Sequence, residues 1–456
     1  MYPKYRQMKA LLAYPPFSLT QGWEDGLPFL DNMVCLGSFL KHNGVEVTVY
    51  HEHPYDITSF VQIIQEQQPD IVCLSCDSAN FDSCVKFTAL SKKIAPHTLT
   101  VWGGYHATFF DTKILEHVSS LDIIVRNEGE LTLQEILNIL QENPQNPCFK
   151  NVLGITYKNA GKIHKNQSRP VIHNLDTLPF YSYDLLDMNK VYHDFSWRGC
   201  YPIHTGRGCS FPCRFCADKA SWGRNYRYKS PKKIIEEVKY CRDNYPIEGV
   251  AFAENLFTVN KARTKELCKL LIQEKIEIDW GCSTRVDLVD DDLLALMKES
   301  GCKKINYGVE HLSDKMLQLM KKGYSSDLAM DILRKTHAHG IYASFYLILG
   351  FPGETEKTLA ELLTKINQLD LEINCTTSSI FQLQPGSDSY NEAKEKGTIN
   401  DDMWFKGYSS KIFFHSFHPP EFRKKILACK HAIMNRYKGK INRRNHILPQ
   451  THQIAK

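Results

Sequence analysis

No stretch of this chain approaches the roughly 20 consecutive apolar residues that a membrane-crossing helix needs, so no membrane span is expected. Neither sign of charge dominates. The 56 Lys and Arg exceed the 51 Asp and Glu by only five over 456 residues, which disfavours a nucleic-acid partner. Internal repeats and low-complexity segments are also missing. The N-terminus, Met-Tyr-Pro-Lys-Tyr-Arg-Gln-Met-Lys, is polar and leads straight into a strand pattern, which is not how a secretory leader is laid out. A regular disulfide framework is absent as well: the cysteines number fifteen, an odd count. Without a leader they imply a reducing, cytoplasmic setting.

What is present is a loop, Thr-Gly-Arg-Gly-Cys-Ser-Phe-Pro-Cys-Arg-Phe-Cys, that places Cys209, Cys213 and Cys216 within eight residues. A structural zinc site would need a fourth ligand, from a second Cys-x-x-Cys or a histidine pair downstream. Neither follows, and Cys241 stands alone on a predicted helix. Three soft thiolates at spacings of four and three can instead hold three corners of a cubane iron–sulfur cluster. The fourth iron is then free to bind and activate a small molecule. Gly206 and Gly208 allow a sharp turn before the first ligand, and Pro212 stiffens the approach to the second.

A hydrophobic content of 43% and a length of 456 residues suit a globular chain with two domains and a tail. In the first 140 residues, strand patterns at 8–14, 45–50, 70–76, 99–102 and 122–125 alternate with helical ones, which predicts a doubly wound parallel sheet. Ligands of such sheets lie in loops past the strand carboxyl ends. Here those loops carry Tyr14 and Pro15, then Ser75, then Gly103, Gly104 and His106, then Glu128 and Gly129. The Gly103-Gly104 pair suits either a ligand pressed against bare backbone or a tight strand-to-helix turn. His51 and His53 read as surface residues. Cys73, Cys76, Cys268, Cys282, Cys302 and Cys375 lie in apolar segments and read as core thiols.

A hairpin around Asn159-Ala160-Gly161 follows, then a proline-punctuated linker near Leu175–Leu186 laid over the surface between domains. Next come about six strand–helix units, with strands at 201–205, 249–253, 278–283, 304–307, 343–349 and 377–382. Six units cannot close an eight-stranded barrel. The carboxyl ends of these strands carry Glu254-Asn255, Arg285, Glu310, Gly350-Phe351-Pro352-Gly353-Glu354-Thr355 and Pro385-Gly386. The Gly-Phe-Pro-Gly-Glu phrase suggests a sharp turn with a helix cap at Glu354 or Thr355. Trp404-Phe405 and Phe413–Phe417 form aromatic clusters suited to a substrate wall or to packing the barrel bottom. The C-terminal basic run, from Arg423 to Arg444, reads as a solvated helix end.

With Phe215 in the aromatic slot, Cys-x3-Cys-x-Phe-Cys resembles the signature of the radical S-adenosylmethionine (SAM) enzymes. The Pro-Pro, Gly-Gly-x-His-x-Thr and Glu-Gly-Glu loops of the first 140 residues resemble the B12-binding domain found ahead of many radical SAM cores. One departure is plain. The Asp-x-His-x-x-Gly that places a cobalt-ligating histidine after the first strand occurs nowhere, which in this branch implies cobalamin held without a protein imidazole.

The resemblance implies four parts: a B12-binding domain at 1–145, a hairpin and linker at 146–197, a radical SAM core at 198–395 forming a partial (β/α)6 barrel, and a helical C-terminal region with a basic tail at 396–456. It implies a 4Fe-4S cluster on Cys209, Cys213 and Cys216. SAM contacts fall on Phe215, Glu254 (ammonium), Arg285 (carboxylate), Glu310 (ribose), Pro385 and Gly386 (adenine). Cobalamin contacts fall on Tyr14, Pro15, Ser75, Gly103, Gly104, His106, Glu128 and Gly129. For Arg285 and Glu310 the alternative is a structural ion pair inside the barrel. The implied activity is reductive cleavage of SAM to a 5′-deoxyadenosyl radical, with electrons from reduced flavodoxin or ferredoxin, and methylation of an unactivated carbon or phosphorus in a small molecule or peptide. Two alternatives stand beside it: a ring closure, rearrangement or oxidation with the same cofactors, and an electron carrier or sensor that binds a cluster and no SAM. No catalytic side chain is assigned from the sequence.

Overall fold

The structure is a computed structural model that describes residues 6–16, 27–28, 30–51, 57–188, 191–192, 200–370, 372–405 and 417–437. The chain forms two units, Met1–Tyr192 with Ala220–Gly223 and Tyr390–Ser409, and His193–Lys219 with Arg224–Ser389 and Ser410–Lys456.

In the first unit, strands β1 (Lys9–Ala13), β2 (Glu46–Tyr50), β3 (Ile71–Ser75), β4 (Leu99–Gly103) and β5 (Ile123–Val125) run parallel in the order β2-β1-β3-β4-β5. Ile71–Ser75 is buried at every position, as expected of a strand covered on both faces. This is the flavodoxin-like order, and its ligand crevice opens where connections leave in opposite directions, between β1 and β3.

The expected hairpin is present as β6 (Ile155–Asn159) and β7 (Lys162–Lys165), but it belongs to this sheet, extending it antiparallel from β5. A buried polar hub fastens it. Arg126 donates to the Ile155 carbonyl at 2.7 Å and the Asn166 carbonyl at 2.6 Å, while Asp111 accepts from Thr156 at 2.6 Å. The stretch expected to span the surface between domains is likewise packed here. Leu175, Tyr183 and Leu186 are buried, and Ser38 on the helix Asp31–His42 accepts the Ser182 amide at 2.8 Å. Contact therefore carries the first unit past the expected edge at residue 145.

Trp404 and Phe405 also lie in this unit. Trp404 meets His106 edge-on at 5.4 Å between ring centroids and Phe110 at 6.1 Å, so it packs on the first unit and not on the barrel bottom. His51, expected at the surface, is buried. His53, Phe413–Ser416 and the tail from residue 438 lie outside the described residues.

In the second unit six parallel strands form a sheet in sequence order: β8 (Cys200–Ile203), β9 (Gly249–Phe252), β10 (Asp279–Thr284), β11 (Cys302–Glu310), β12 (Tyr342–Leu349) and β13 (Asn374–Ile380). Sequence dictates where the intervening helices begin. Ser230 caps Pro231–Asn244, which has proline in its first turn, and Asn260, Asp290 and Ser325 cap the next ones through their side chains. Thr355 and Thr358 form a reciprocal capping box on Glu356–Asn367. None of the fifteen cysteines, all among the described residues, is in a disulfide, and the six expected core thiols are buried. Among the described residues, no helix is long and apolar enough to cross a membrane.

Candidate active site

Cys209, Cys213 and Cys216 sit on the loop that follows β8. Gly208 turns it with a φ of +96°. Gly206 has a different task from the turn expected of it: a Cβ there would collide with the Tyr226 hydroxyl, so it is needed for close approach. Arg214, between two of the ligands, pins the loop. Its amide donates to the Met320 carbonyl at 3.1 Å and its guanidinium to the Leu319 carbonyl at 3.1 Å, both at the C-terminal end of the helix Asp314–Leu319, where a cation is favoured.

The three thiols are close enough that Cys216 feels both others electrostatically and Cys209 feels Cys213. Burial pushes the Cys209 and Cys216 thiols up in the metal-free chain; iron would deprotonate them. Among the described residues, no three His, Cys, Asp or Glu side chains close on a point that one ion could occupy. A cubane asks for something else, since each thiolate takes its own iron. The Asp218 amide 3.5 Å from the Cys216 sulfur and the Arg285 guanidinium 3.6 Å from the Cys213 sulfur are donors suited to an anionic cluster. The loop fits the group.

Arg285 and Glu310 do not pair with each other. Arg285 grips Asp287 with two bonds of 2.9 and 2.8 Å and stacks 3.8 Å from the Phe211 ring centroid in the cysteine loop. Glu310 takes Lys322, at 3.3 Å. Its backbone stands in the left-handed region at φ +66°, strained for a non-glycine residue, and the β11–β12 register shifts beside it. Gly308 makes room for this, because a Cβ there would meet the Glu310 carboxylate at 2.8 Å. Lys322 lies 5.8 Å from the centroid of Phe215. Cys213, Phe215, Arg285, Lys322 and Glu310 thus form one connected cluster. Lys322, Asp287 and Phe211 carry no signal of their own in the sequence: Lys321-Lys322-Gly323 looks like an exposed turn, and only the need of Glu310 for a cation could have singled it out.

Glu254 is elsewhere engaged. Its carboxylate accepts from Thr205 and, at 3.3 Å, from Tyr226, with Arg263 at 3.6 Å; Glu254, Thr205 and Arg263 are buried. Asn255 instead donates to Asp218 at 2.8 Å. Pro385 and Gly386 form the turn after β13, with Gly386 at φ +84°. The Gly-Phe-Pro-Gly-Glu phrase is a lock. Glu354 accepts the Gly350 amide at 2.8 Å and Thr358 at 2.9 Å, and lies 3.0 Å from His311. Burial alone would push the Glu354 carboxyl up, but His311 and these donors hold it below its usual range. Thr355 rather than Glu354 is the helix cap.

In the first unit, the β1–β3 crevice is framed by Tyr14, whose hydroxyl donates to Asp77, and by Ser75, which accepts from Asn32 at 2.8 Å. Asn80 ties the two strand ends, donating to the carbonyls of Pro15 and Ser75 at 3.0 Å each. At Gly103 the Cβ position is open, its nearest neighbour being the Val125 carbonyl at 3.7 Å. That bare strand end fits a flat corrin edge. Gly104 is different: its φ is +93°, and a Cβ would strike the Cys76 carbonyl at 2.6 Å. Glu128 accepts the Ile172 amide at 2.6 Å, and Gly129 caps the helix Glu130–Glu142 beside Leu36, so both also serve packing.

His106 is buried among Phe81, Phe110 and Trp404, with Nδ1 3.0 Å from Ser78. Burial lowers its pKa to about 3. The unfolded chain protonates this ring near 6.5, so stability is full above that pH and lost as pH falls, by about 2 kcal/mol at pH 5. Urea midpoints at pH 7.5 and 5.0 should therefore converge in His106→Gln; an unchanged pH slope refutes the assignment.

A three-thiolate loop at the mouth of an open parallel barrel, with a flavodoxin-like sheet in the same chain, defines a class of cluster-dependent enzymes that pair a radical core with a corrinoid-binding unit. Residues 203–366 match the radical SAM superfamily and residues 32–137 the B12 binding domain. An uncharacterized methyltransferase of Pyrococcus horikoshii is 30% identical over 372 residues, 80% of this chain and 79% of that one. The chain belongs to the radical SAM superfamily and carries a B12-binding domain; it is an enzyme whose cofactors are an iron–sulfur cluster, SAM and cobalamin. An anaerobic magnesium-protoporphyrin IX monomethyl ester cyclase of Cereibacter sphaeroides is 25% identical over 383 residues, 82% of this chain and 60% of that one. The cobalamin-dependent SAM radical enzyme OxsB, solved with aqua-cobalamin and SAM bound, shares the fold at a TM-score of 0.76 and 17% identity, covering 95% of this chain and 67% of that one.

Proposed function

We propose that this chain is a cobalamin-dependent radical SAM methyltransferase that methylates an unactivated carbon or phosphorus centre. The observation that carries the reading is the loop of Cys209, Cys213 and Cys216, pinned at the barrel mouth with no fourth protein ligand in its motif. When bound, the cluster and cobalamin supply one-electron reduction of the SAM sulfonium and a methyl carrier. The chain positions the reactants. Arg285, its fork taken up by Asp287, brings positive charge beside Cys213 for the SAM carboxylate. Glu310 offers acceptors for the ribose hydroxyls, and the Pro385-Gly386 turn offers backbone to the adenine. Its lock of Glu354, His311 and Thr358 keeps the neighbouring strand end rigid. A reduced flavodoxin or ferredoxin in the cytoplasm supplies the electron. The similarity to a methyltransferase over most of both chains supports methyl transfer.

A second reading, ring closure with the same cofactors, is favoured by the resemblance to the Cereibacter sphaeroides cyclase. Anaerobic purification with added cobalamin, then reduction in the presence of SAM, separates them. Methyl transfer yields S-adenosylhomocysteine together with 5′-deoxyadenosine, whereas the alternative yields 5′-deoxyadenosine alone. Neither product, with a cluster whose EPR signal ignores SAM, refutes both.

A further inference from the structure

Lys322 is 4% exposed, yet it carries an ammonium rather than a methylene end into the core of the site. Burying such a charge is costly unless something is gained from it. The backbone places it deliberately: its amide donates to the Leu317 carbonyl at 3.0 Å, and its own carbonyl accepts from Arg285. The ammonium lies 3.3 Å from Glu310, 5.8 Å from the centroid of Phe215 and 5.6 Å from that of Tyr324. Phe215 lies between the ligands Cys213 and Cys216 in the loop. Burial by itself would strip the proton from the amine, but the Glu310 carboxylate beside it keeps it charged. Arg285, already satisfied by Asp287, brings a second cation to the same Cys213.

We propose that Lys322 is the electrostatic group that makes this cluster reducible: its buried ammonium, steered by Glu310, stabilises the reduced state and so sets the midpoint potential. The step is simple to balance. One electron leaves an external reductant and enters the cubane; no proton moves and no bond changes. The cubane and its three thiolates pass from one net negative charge to two, and a fixed cation in a low-dielectric site favours the more negative state. Lys322 is therefore a positioning residue, acting through the cluster rather than on substrate. The inference rests on the three-cysteine cluster of the reading above and on nothing concerning cobalamin or methyl transfer, and its test uses neither.

The test is an EPR-monitored redox titration with dithionite on anaerobically reconstituted, SAM-free full-length enzyme, with iron and sulfide per chain measured throughout. For Lys322→Met, the ratio of reduced to oxidised cluster at a fixed potential should fall about tenfold, a midpoint lower by about 59 mV for one electron. Lys322→Arg, which keeps the charge, should return the parental midpoint. Glu310→Gln, which removes the neighbouring negative charge, should move it upward. A parental midpoint in Lys322→Met, or equal shifts in the Met and Arg variants, overturns the proposal. Should Lys322→Met fail to fold or lose iron, Glu310→Gln decides: an upward shift supports the assignment, and an unchanged midpoint overturns it.

Discussion

Cys213→Ala should leave a folded chain that holds iron at below about one-tenth of the parental level and forms no 5′-deoxyadenosine from SAM. The reasoning runs through what the mutation spares. The loop is not held in place by the Cys213 sulfur. It is held by the Arg214 amide on Met320, the Arg214 guanidinium on Leu319, and the Ser389 amide on the Arg214 carbonyl at 2.9 Å. None of these involves the thiol, so the scaffold survives its removal at a cost of about 1 kcal/mol, the ordinary toll of a small buried truncation. Two remaining thiolates cannot fix a cubane on their own, and Arg285 loses the sulfur that it meets at 3.6 Å. Iron and sulfide analysis, product chromatography and a melting curve check the three parts separately. Retained SAM cleavage would show that Cys213 is not a ligand.

Much of this was readable from residues alone, because local chemistry and tertiary context agreed. Every barrel strand was legible from apolar runs closed by turn signals, and helix starts from Ser230-Pro231 and Thr355. The final strand is an instructive difference. It begins at Asn374, three residues before the expected Thr377: Asn-Cys-Thr carries no alternation, yet Asn374 and Cys375 pair with Ser344 and Phe345 of β12 before the register shifts at Thr376. The linker misled for the opposite reason. Its proline, Pro179, and its polar residues advertise exposure, while Leu175, Tyr183 and Leu186 are buried in the first unit.

In the site, the cysteine loop was legible because spacing alone encodes it. The partners of the charged residues were not. Asp287 lies two residues from Arg285 and still looks like a helix-start acid, and Lys322 is brought to Glu310 only by the fold. Sequence showed which residues bear charge; packing determined that Glu254, expected at the SAM ammonium, answers Arg263.

The two glycines after β4 allow architecture and ligand binding to be separated. Gly104→Ala should destabilise the first unit by about 2–4 kcal/mol, combining a left-handed backbone with overpacking. The Cys76 peptide that the new Cβ would strike cannot retreat, because its amide donates to the Gly103 carbonyl at 2.8 Å and its carbonyl accepts from the His106 amide at 3.2 Å. Any loss of cobalamin in that variant would follow from unfolding. Gly103→Ala is the sharper probe. Its Cβ meets nothing nearer than the Val125 carbonyl at 3.7 Å, so the fold should keep its stability. The added methyl would instead stand on the bare strand end where a corrin presses, and cobalamin per chain should fall about tenfold, equivalent to about 1.4 kcal/mol of binding. Iron content should be unchanged, since the cysteine loop lies in the other unit. Cobalamin absorbance and iron analysis on both variants, read beside their urea midpoints, give the answer. Parental cobalamin loading in Gly103→Ala would mean that both glycines serve only the turn.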